Sequence, residues 1–294
     1  MKNLIRVHNL THAYEKSRQP ALKEINLLID QGEYIAIIGP NGCGKTTLIR
    51  HFNALLIPTS GEVQVDEFPT NDPKRLLEIR RRVGMAFQNA DNQIVGMSVE
   101  EDVAFGPGNL GLPTQEVRRR VDQALAIVGL TAMRSHSPHS LSGGQKHLLA
   151  LAGLLAMEPK VIVLDEPTAS LDPEARTMVL KLLRELNSRG ICIVHVTHSM
   201  EEAALAERVL VMDKGELVAD GSPDQILNRV SWLKSLGLAP PIITELMWRL
   251  QENGLNVSSS VFTIDAAIEE ITSLLEQLRG SSQASLTREG DENA

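Results

Sequence analysis

Cysteine is scarce in this 294-residue chain, which has only Cys43 and Cys192. Two cysteines build no disulfide framework, so covalent stapling is excluded and a reducing compartment is expected. Cys192 lies in the apolar run ICIVHV and reads as a small buried residue. Long apolar runs are missing as well. The longest are strand-sized and cannot span a bilayer, and residues 1–10 (MKNLIRVHNL) carry charges and no apolar run of signal length. If the chain serves a membrane process, a partner must supply the membrane part. Excess positive charge is also absent. A net charge of −8 removes the bulk electrostatic footprint for nucleic acid and argues against independent adhesion to an anionic membrane. The triplets Arg80-Arg81-Arg82 and Arg118-Arg119-Arg120 sit among helix formers and read as solvated helix faces. His136 and His139 are too sparse for a metal-capture site and read as a solvated loop.

What remains is ordinary globular composition, 43% hydrophobic and 22% charged, enough for one large or two modest domains. Apolar runs at Tyr34–Ile38, Val161–Leu164 and Ile191–Val196 alternate with helical patterns at Lys45–Leu55 and Glu174–Ser188. Buried strands alternating with helices predict a mostly parallel α/β sheet. Ile5–Val7, Ile25–Leu27 and Glu62–Val65 look like shorter, partly exposed strands and predict an antiparallel layer beside it. Residues 89–158 read as a helical insert. Ser222-Pro223-Asp224 starts a short helix by capping and proline placement, and helical stripes follow at Ile243–Gln251 and Ile264–Leu278. The expected division is 1–221, an appended element at 222–280 that serves oligomerisation, and a polar, disordered end at 281–294 that cannot bury a core.

Gly39-Pro40-Asn41-Gly42-Cys43-Gly44-Lys45-Thr46 fits G-x-x-x-x-G-K-[ST] between an apolar strand and a helix. Glycines let several backbone N–H groups face one phosphate chain, and the helix N-terminus adds partial positive charge. Lys45 then supplies a point charge to the β/γ-phosphates of ATP, and the Thr46 hydroxyl holds Mg²⁺. Thr47 is counted with this nucleotide-binding set. Val161–Leu164 ends in Asp165-Glu166, a strand end suited to a Mg²⁺-orienting carboxylate, Asp165. Glu166, one residue on, can polarise the attacking water. Leu141-Ser142-Gly143-Gly144-Gln145 opens a further helix and makes a second anion-binding N-terminus, one more than a single nucleotide needs.

With that motif the sequence resembles the ABC transporter ATPases, whose signature is LSGGQ, over about residues 3–220. The resemblance implies an ABC-type nucleotide-binding domain of the P-loop NTPase fold: a RecA-like mixed sheet, an antiparallel β subdomain and a helical subdomain, here with a small C-terminal extension. It implies a homo- or heterodimer in which Ser142, Gly143, Gly144 and Gln145 close over ATP held by the other subunit's phosphate loop. Tyr14 resembles the aromatic that stacks on adenine. Gln88 resembles the glutamine that senses Mg²⁺ and water, Ser170-Leu171-Asp172 the loop that crosses the dimer interface, and His198 the switch histidine near the γ-phosphate. Cys43 stands where serine is common, and Lys146 follows the signature where many relatives carry arginine. Residues 88–95 and 99–107 resemble the ATPases of energy-coupling factor importers, with Ala90 in place of a proline. That implies a transmembrane coupling subunit docked on Asp91–Phe105, a substrate-capturing membrane subunit, a vitamin or transition-metal cargo, and a place at the cytoplasmic face of the membrane. Two other readings stay open: a soluble ABC ATPase of another subfamily, and a regulatory subunit that binds ATP without turnover.

Overall fold

The computed structural model describes residues 3–15, 19–88 and 90–276. Asn89 and the polar end expected at 281–294 lie outside the described residues. Two sheets organise the chain. The first has order β2-β1-β4-β5, from β1 (Asn3–His12), β2 (Leu22–Asp30), β4 (Ser60–Val65) and β5 (Phe68–Pro69), and its pairings are antiparallel. The second has order β10-β9-β3-β8-β7-β6, from β3 (Tyr34–Ile38), β6 (Val83–Ala86), β7 (Val161–Asp165), β8 (Cys192–Val196), β9 (Arg208–Asp213) and β10 (Glu216–Gly221). Its first five strands in chain order run parallel, and β10 returns antiparallel to β9. Lys214 and Gly215 both hold positive φ (47° and 85°) in that hairpin turn, the handedness that matches the twist of paired strands.

Period two sends neighbouring side chains of one strand into different cores. From β3, Tyr34, Ala36 and Ile38 join one apolar cluster, while Ile35 and Ile37 join the other. Strand β7 divides likewise, with Ile162 and Leu164 against Val161 and Val163. Burial on both faces explains why these strands read as continuous apolar runs. The first cluster is closed by α3 (Val99–Asn109), α4 (Thr114–Ile127), α5 (Gly143–Ala156) and α6 (Pro173–Ser188); the second by α1 (Lys45–Phe52), α2 (Leu76–Arg82) and the antiparallel sheet.

After β8 comes the single-turn helix α7 (Met200–Ala203). Beyond β10, α8 (Pro223–Leu227) begins at Ser222 with a full capping box, followed by α9 (Val230–Ser235) and α10 (Ile242–Glu252); residues 264–276 are also helical. Leu227, Leu233 and Leu238 pack into the same core as Met200 and Ala203, whereas Met247, Val257, Val261 and Ala267 form a small core of their own.

Two expectations need correction. The arginine triplets are not uniformly solvated. Arg120 is buried and pairs with Glu116 and Glu158 at 2.7 and 2.9 Å. Arg82 is half-buried, lies over the Phe68 ring and bonds the buried carboxylate of Asp66 at 2.9 Å. The first strand is also longer than Ile5–Val7, because β1 is paired on both sides, by β2 and β4.

Candidate functional site

Parallel strands present their C-terminal ends on one edge, and that edge is where ligands of such sheets bind. Strands β3, β6, β7 and β8 end there in the phosphate loop, Gln88, Asp165-Glu166 and Thr197-His198, and Asp165 pairs in register with Val196. The sequence-distant candidates thus arrive together.

The phosphate loop turns on glycine where a side chain has no room. Gly39 has φ 154°, and a Cβ there would stand 2.3 Å from the Met212 carbonyl oxygen. Gly44 caps α1 in the left-handed region. The buried Lys45 ammonium donates to the carbonyls of Gly39 (2.7 Å) and Pro40 (3.1 Å), so it lies along the inside of the loop. Cys43 is buried, and burial raises its thiol pKa. Asn41 and Gly42 form the exposed tip.

The Thr46 hydroxyl donates to Asp165 Oδ2 at 2.8 Å. Asp165 is itself buried, and that desolvation outweighs the Thr46 bond and raises its pKa. A hydroxyl and a carboxylate costly to ionise are oxygen donors that suit a hard dication such as Mg²⁺. No group of three or more His, Cys, Asp or Glu side chains able to hold a metal occurs among the described residues. That is compatible with Mg²⁺, which takes one or two protein oxygens and completes its shell with phosphates and water.

Glu166 sits next to this pair with φ 52°, a left-handed conformation uncommon outside glycine. Its N–H donates to the Val196 carbonyl at 2.9 Å, and its carboxylate is gripped from two sides. His198 Nε2 lies 2.7 Å from Oε1, and Gln88 Nε2 donates to Oε2 at 3.1 Å. An open cleft of about 410 Å³ adjoins them, lined by Glu166, Thr168, Leu171, Arg176, His198 and Glu202 among others. A larger cleft of about 670 Å³, lined by Thr11, Lys23, Asn26 and Glu216, includes none of these groups.

Tyr14 lies just past β1 and is partly exposed. Its hydroxyl is 3.1 Å from Thr47 Oγ1, and its ring meets His12 edge-on at 4.8 Å. Beneath it His51 is fully buried, with Nδ1 2.8 Å from the Thr47 carbonyl and Nε2 3.2 Å from His12 Nδ1.

The signature opens α5 through a capping box: Gln145 N–H donates to Ser142 Oγ, and Ser142 N–H returns to Gln145 Oε1 at 2.9 Å. Gly144 is obligatory for packing, since a Cβ there would stand 2.6 Å from Ala175 Cβ. Lys146 bonds Asp91 at 2.6 Å, and the His147 ring lies 3.3 Å from the Gln88 carbonyl. The signature helix is therefore tied to the segment after β6. Among the described residues, the hydrogen bonds of the Ser142 and Gln145 side chains stay within this capping box, while Lys45 bonds carbonyls of its own loop. Asp172, in the loop after β7, caps α6 by accepting from Ala175 N–H.

Sequence reasoning missed the polar groups beneath these loops: His12, His51, His195, Arg176 and Glu202. A histidine inside the apolar run ICIVHV was the one local signal.

The ABC transporter family model matches residues 22–169. The cobalt import ATP-binding protein CbiO of Syntrophus aciditrophicus (strain SB) is 49% identical, over 91% of this chain and 96% of its own length. The energy-coupling factor transporter ATP-binding protein EcfA1 of Clostridium perfringens is 47% identical, over 93% and 99%. Among solved structures, cbiO1 from Clostridium perfringens, part of the ABC transporter complex cbiONQ, superposes with TM-score 0.73 at 39% identity, covering 84% of this chain and all (100%) of that one. The ATP-binding cassette MJ0796, in a dimeric post-hydrolysis state with ADP and Pi, gives 0.68 at 33%, covering 74% and 98%.

Proposed function

The chain belongs to the ABC transporter family, and from that premise we propose that it is the ATP-hydrolysing subunit of an energy-coupling factor importer. The observation that carries hydrolysis is the Glu166 carboxylate clasped by His198 and Gln88 beside the Thr46–Asp165 pair. In the reaction, backbone N–H groups of residues 39–46 and the Lys45 ammonium, released from the Gly39 and Pro40 carbonyls, take the β/γ-phosphates. Thr46, Asp165 and Gln88 would hold Mg²⁺, which would supply charge neutralisation at the phosphate oxygens. Glu166 accepts the proton of the attacking water. His198 fixes the Glu166 carboxylate on one side and reaches toward the γ-phosphate, while Gln88 fixes it on the other. Tyr14 stacks on the base.

Ser142–Gln145 completes the site of a second ABC ATPase subunit, a reading supported by the dimeric MJ0796 cassette. No helix of the described residues is long and apolar enough to cross a membrane, so transport requires a transmembrane coupling subunit and a substrate-capturing membrane subunit, with this chain at their cytoplasmic face. Exposed Val95, Met97 and Phe105 support docking on Asp91–Phe105. The importer reading rests on likeness to CbiO and EcfA1 over nearly the whole chain, and the cargo class, a vitamin or a transition-metal ion, follows from it. Residues 1–221 form the catalytic unit, with 89–158 as its helical subdomain. Residues 222–280, whose later part has a small core of its own around Met247, serve oligomerisation.

The test is Glu166→Gln. It should lower ATP turnover by about 10²–10⁴-fold, the range of a lost general base, and trap ATP in a dimer that elutes early on gel filtration. Unchanged hydrolysis would refute the role of Glu166. Failure of the chain to copurify with any integral membrane protein would overturn the importer reading.

A further inference from the structure

The loop Thr197-His198-Ser199 leads into α7 with Ser199 as N-cap, its Oγ accepting from Glu202 N–H. Glu202 is thus at the position where a capping-box glutamate folds back on the N-cap N–H. Here it does not. The Ser199 N–H donates to Thr197 Oγ1 at 3.0 Å instead, and the Glu202 carboxylate turns inward and is buried.

Each oxygen of that carboxylate meets two groups. Oε1 accepts from the Thr168 hydroxyl at 2.7 Å and forms an ion pair with Arg176, whose Nε lies 2.7 Å away. Oε2 accepts from the Thr197 hydroxyl at 2.7 Å and lies 3.2 Å from His195 Nε2. The histidine contact is electrostatic, because Nε2 falls outside hydrogen-bond geometry. Arg176 also donates to Ser199 Oγ at 2.6 Å. Burial alone would raise the Glu202 pKa; His195 and the two threonine hydroxyls more than offset it and bring it to about 2, so the group is ionised at neutral pH.

Thr168 lies two residues after Glu166, and Thr197 directly precedes His198. A carboxylate that binds both hydroxyls fixes the spacing of the two loops whose side chains meet at 2.7 Å. We propose that Glu202 is a positioning residue for ATP hydrolysis, clamping the Glu166 loop to the His198 loop from beneath without touching nucleotide. The inference rests on the hydrolytic roles given above to Glu166 and His198.

Replacing Glu202 by Gln keeps size and turns one acceptor atom into a donor. Oε1 must remain the acceptor, since Arg176 cannot accept, so the amide nitrogen faces Thr197, whose oxygen already receives the Ser199 N–H. The experiment measures steady-state ATPase of purified Glu202→Gln, His198→Ala and the double variant, with ATP affinity from a fluorescent nucleotide. Expected is about a ten-fold fall in kcat for Glu202→Gln with affinity within about two-fold of wild type, and less than about a two-fold further effect in the His198→Ala background. Unchanged kcat, or losses that multiply in the double variant, would overturn the proposal; multiplication together with weakened nucleotide binding marks a merely structural role. Thr197→Val cuts one arm of the clamp isosterically and must give the same non-additive pattern, which decides the matter if Glu202→Gln does not fold. A His198→Ala variant that hydrolyses ATP at the wild-type rate would defeat the clamp while leaving the ATPase reading intact.

Discussion

Acidification should destabilise this protein well above the pH at which its carboxylates protonate, and His51 is the reason. The ring is fully buried between α1 and β1. Its Nδ1–H is committed to the Thr47 carbonyl, and burial lowers its pKa from 6.5 to about 4. In the unfolded chain the same ring titrates at its ordinary value, so between these limits the unfolded state binds more protons and stability falls as pH drops. The full difference is worth about 3.4 kcal/mol. From the same two values, about 1.4 kcal/mol is lost at pH 5.5 and about 2.6 kcal/mol at pH 4.5, relative to pH 8. Against a total stability of roughly 5–15 kcal/mol, these are large shifts. Urea unfolding followed by circular dichroism at pH 8, 6.5, 5.5 and 4.5 should show wild type losing stability faster than His51→Asn, which keeps an N–H donor toward Thr47. Asp165, whose raised pKa acts in the opposite sense, is common to both proteins and cancels in the difference. Glu202, with a lowered pKa of about 2, costs stability only as pH falls below the ordinary carboxylate value. Parallel stability–pH curves for the two proteins would show that His51 is not held neutral by the fold.

Asp165→Asn removes a charge that burial disfavours. ATPase should fall by about a hundred-fold through loss of the Mg²⁺ carboxylate, while the melting temperature stays level or rises; a melting temperature lowered along with activity contradicts this account. Cys43 is buried with a raised thiol pKa, so N-ethylmaleimide should label it slowly at pH 7 and faster as pH rises. Prior MgATP should protect it, and complete labelling should abolish ATP binding. ATPase that persists in fully labelled protein would place Cys43 away from the phosphates.

The phosphate loop and the strands that feed the site were legible because their signals are local. Glycine spacing, a preceding apolar run and a following amphipathic helix identify Gly39–Thr46 without knowledge of any partner, and period-two burial on both faces identifies β3, β7 and β8. Arg120 and Arg82 were not legible, since what buries them is Glu158 and Asp66, 38 and 16 residues away. Glu202 was hidden in the same way. Its neighbours read as an ordinary helix start, and only the fold brings Thr168 and Arg176 beneath it. Glu166 was read from its place after an apolar strand, and Gln88 and His198 from the resemblance; what brings the three together is the shared edge of three parallel strands.

The left-handed backbone at Glu166 has a consequence for descent. A residue at φ 52° is at ease as glycine or asparagine and strained as most others. The position proposed to polarise water is therefore one where replacing the acid by glycine or asparagine relaxes the chain. Nothing in the sheet, the phosphate loop or the signature helix depends on that carboxylate for its backbone bonds, because the N–H at 166 stays on the Val196 carbonyl whatever the side chain. On the role proposed for Glu166, one copy of this subunit can, after gene duplication, become a nucleotide binder without turnover in a single step and keep its fold. An asymmetric pair, with one site that fires and one that only closes, lies one substitution away.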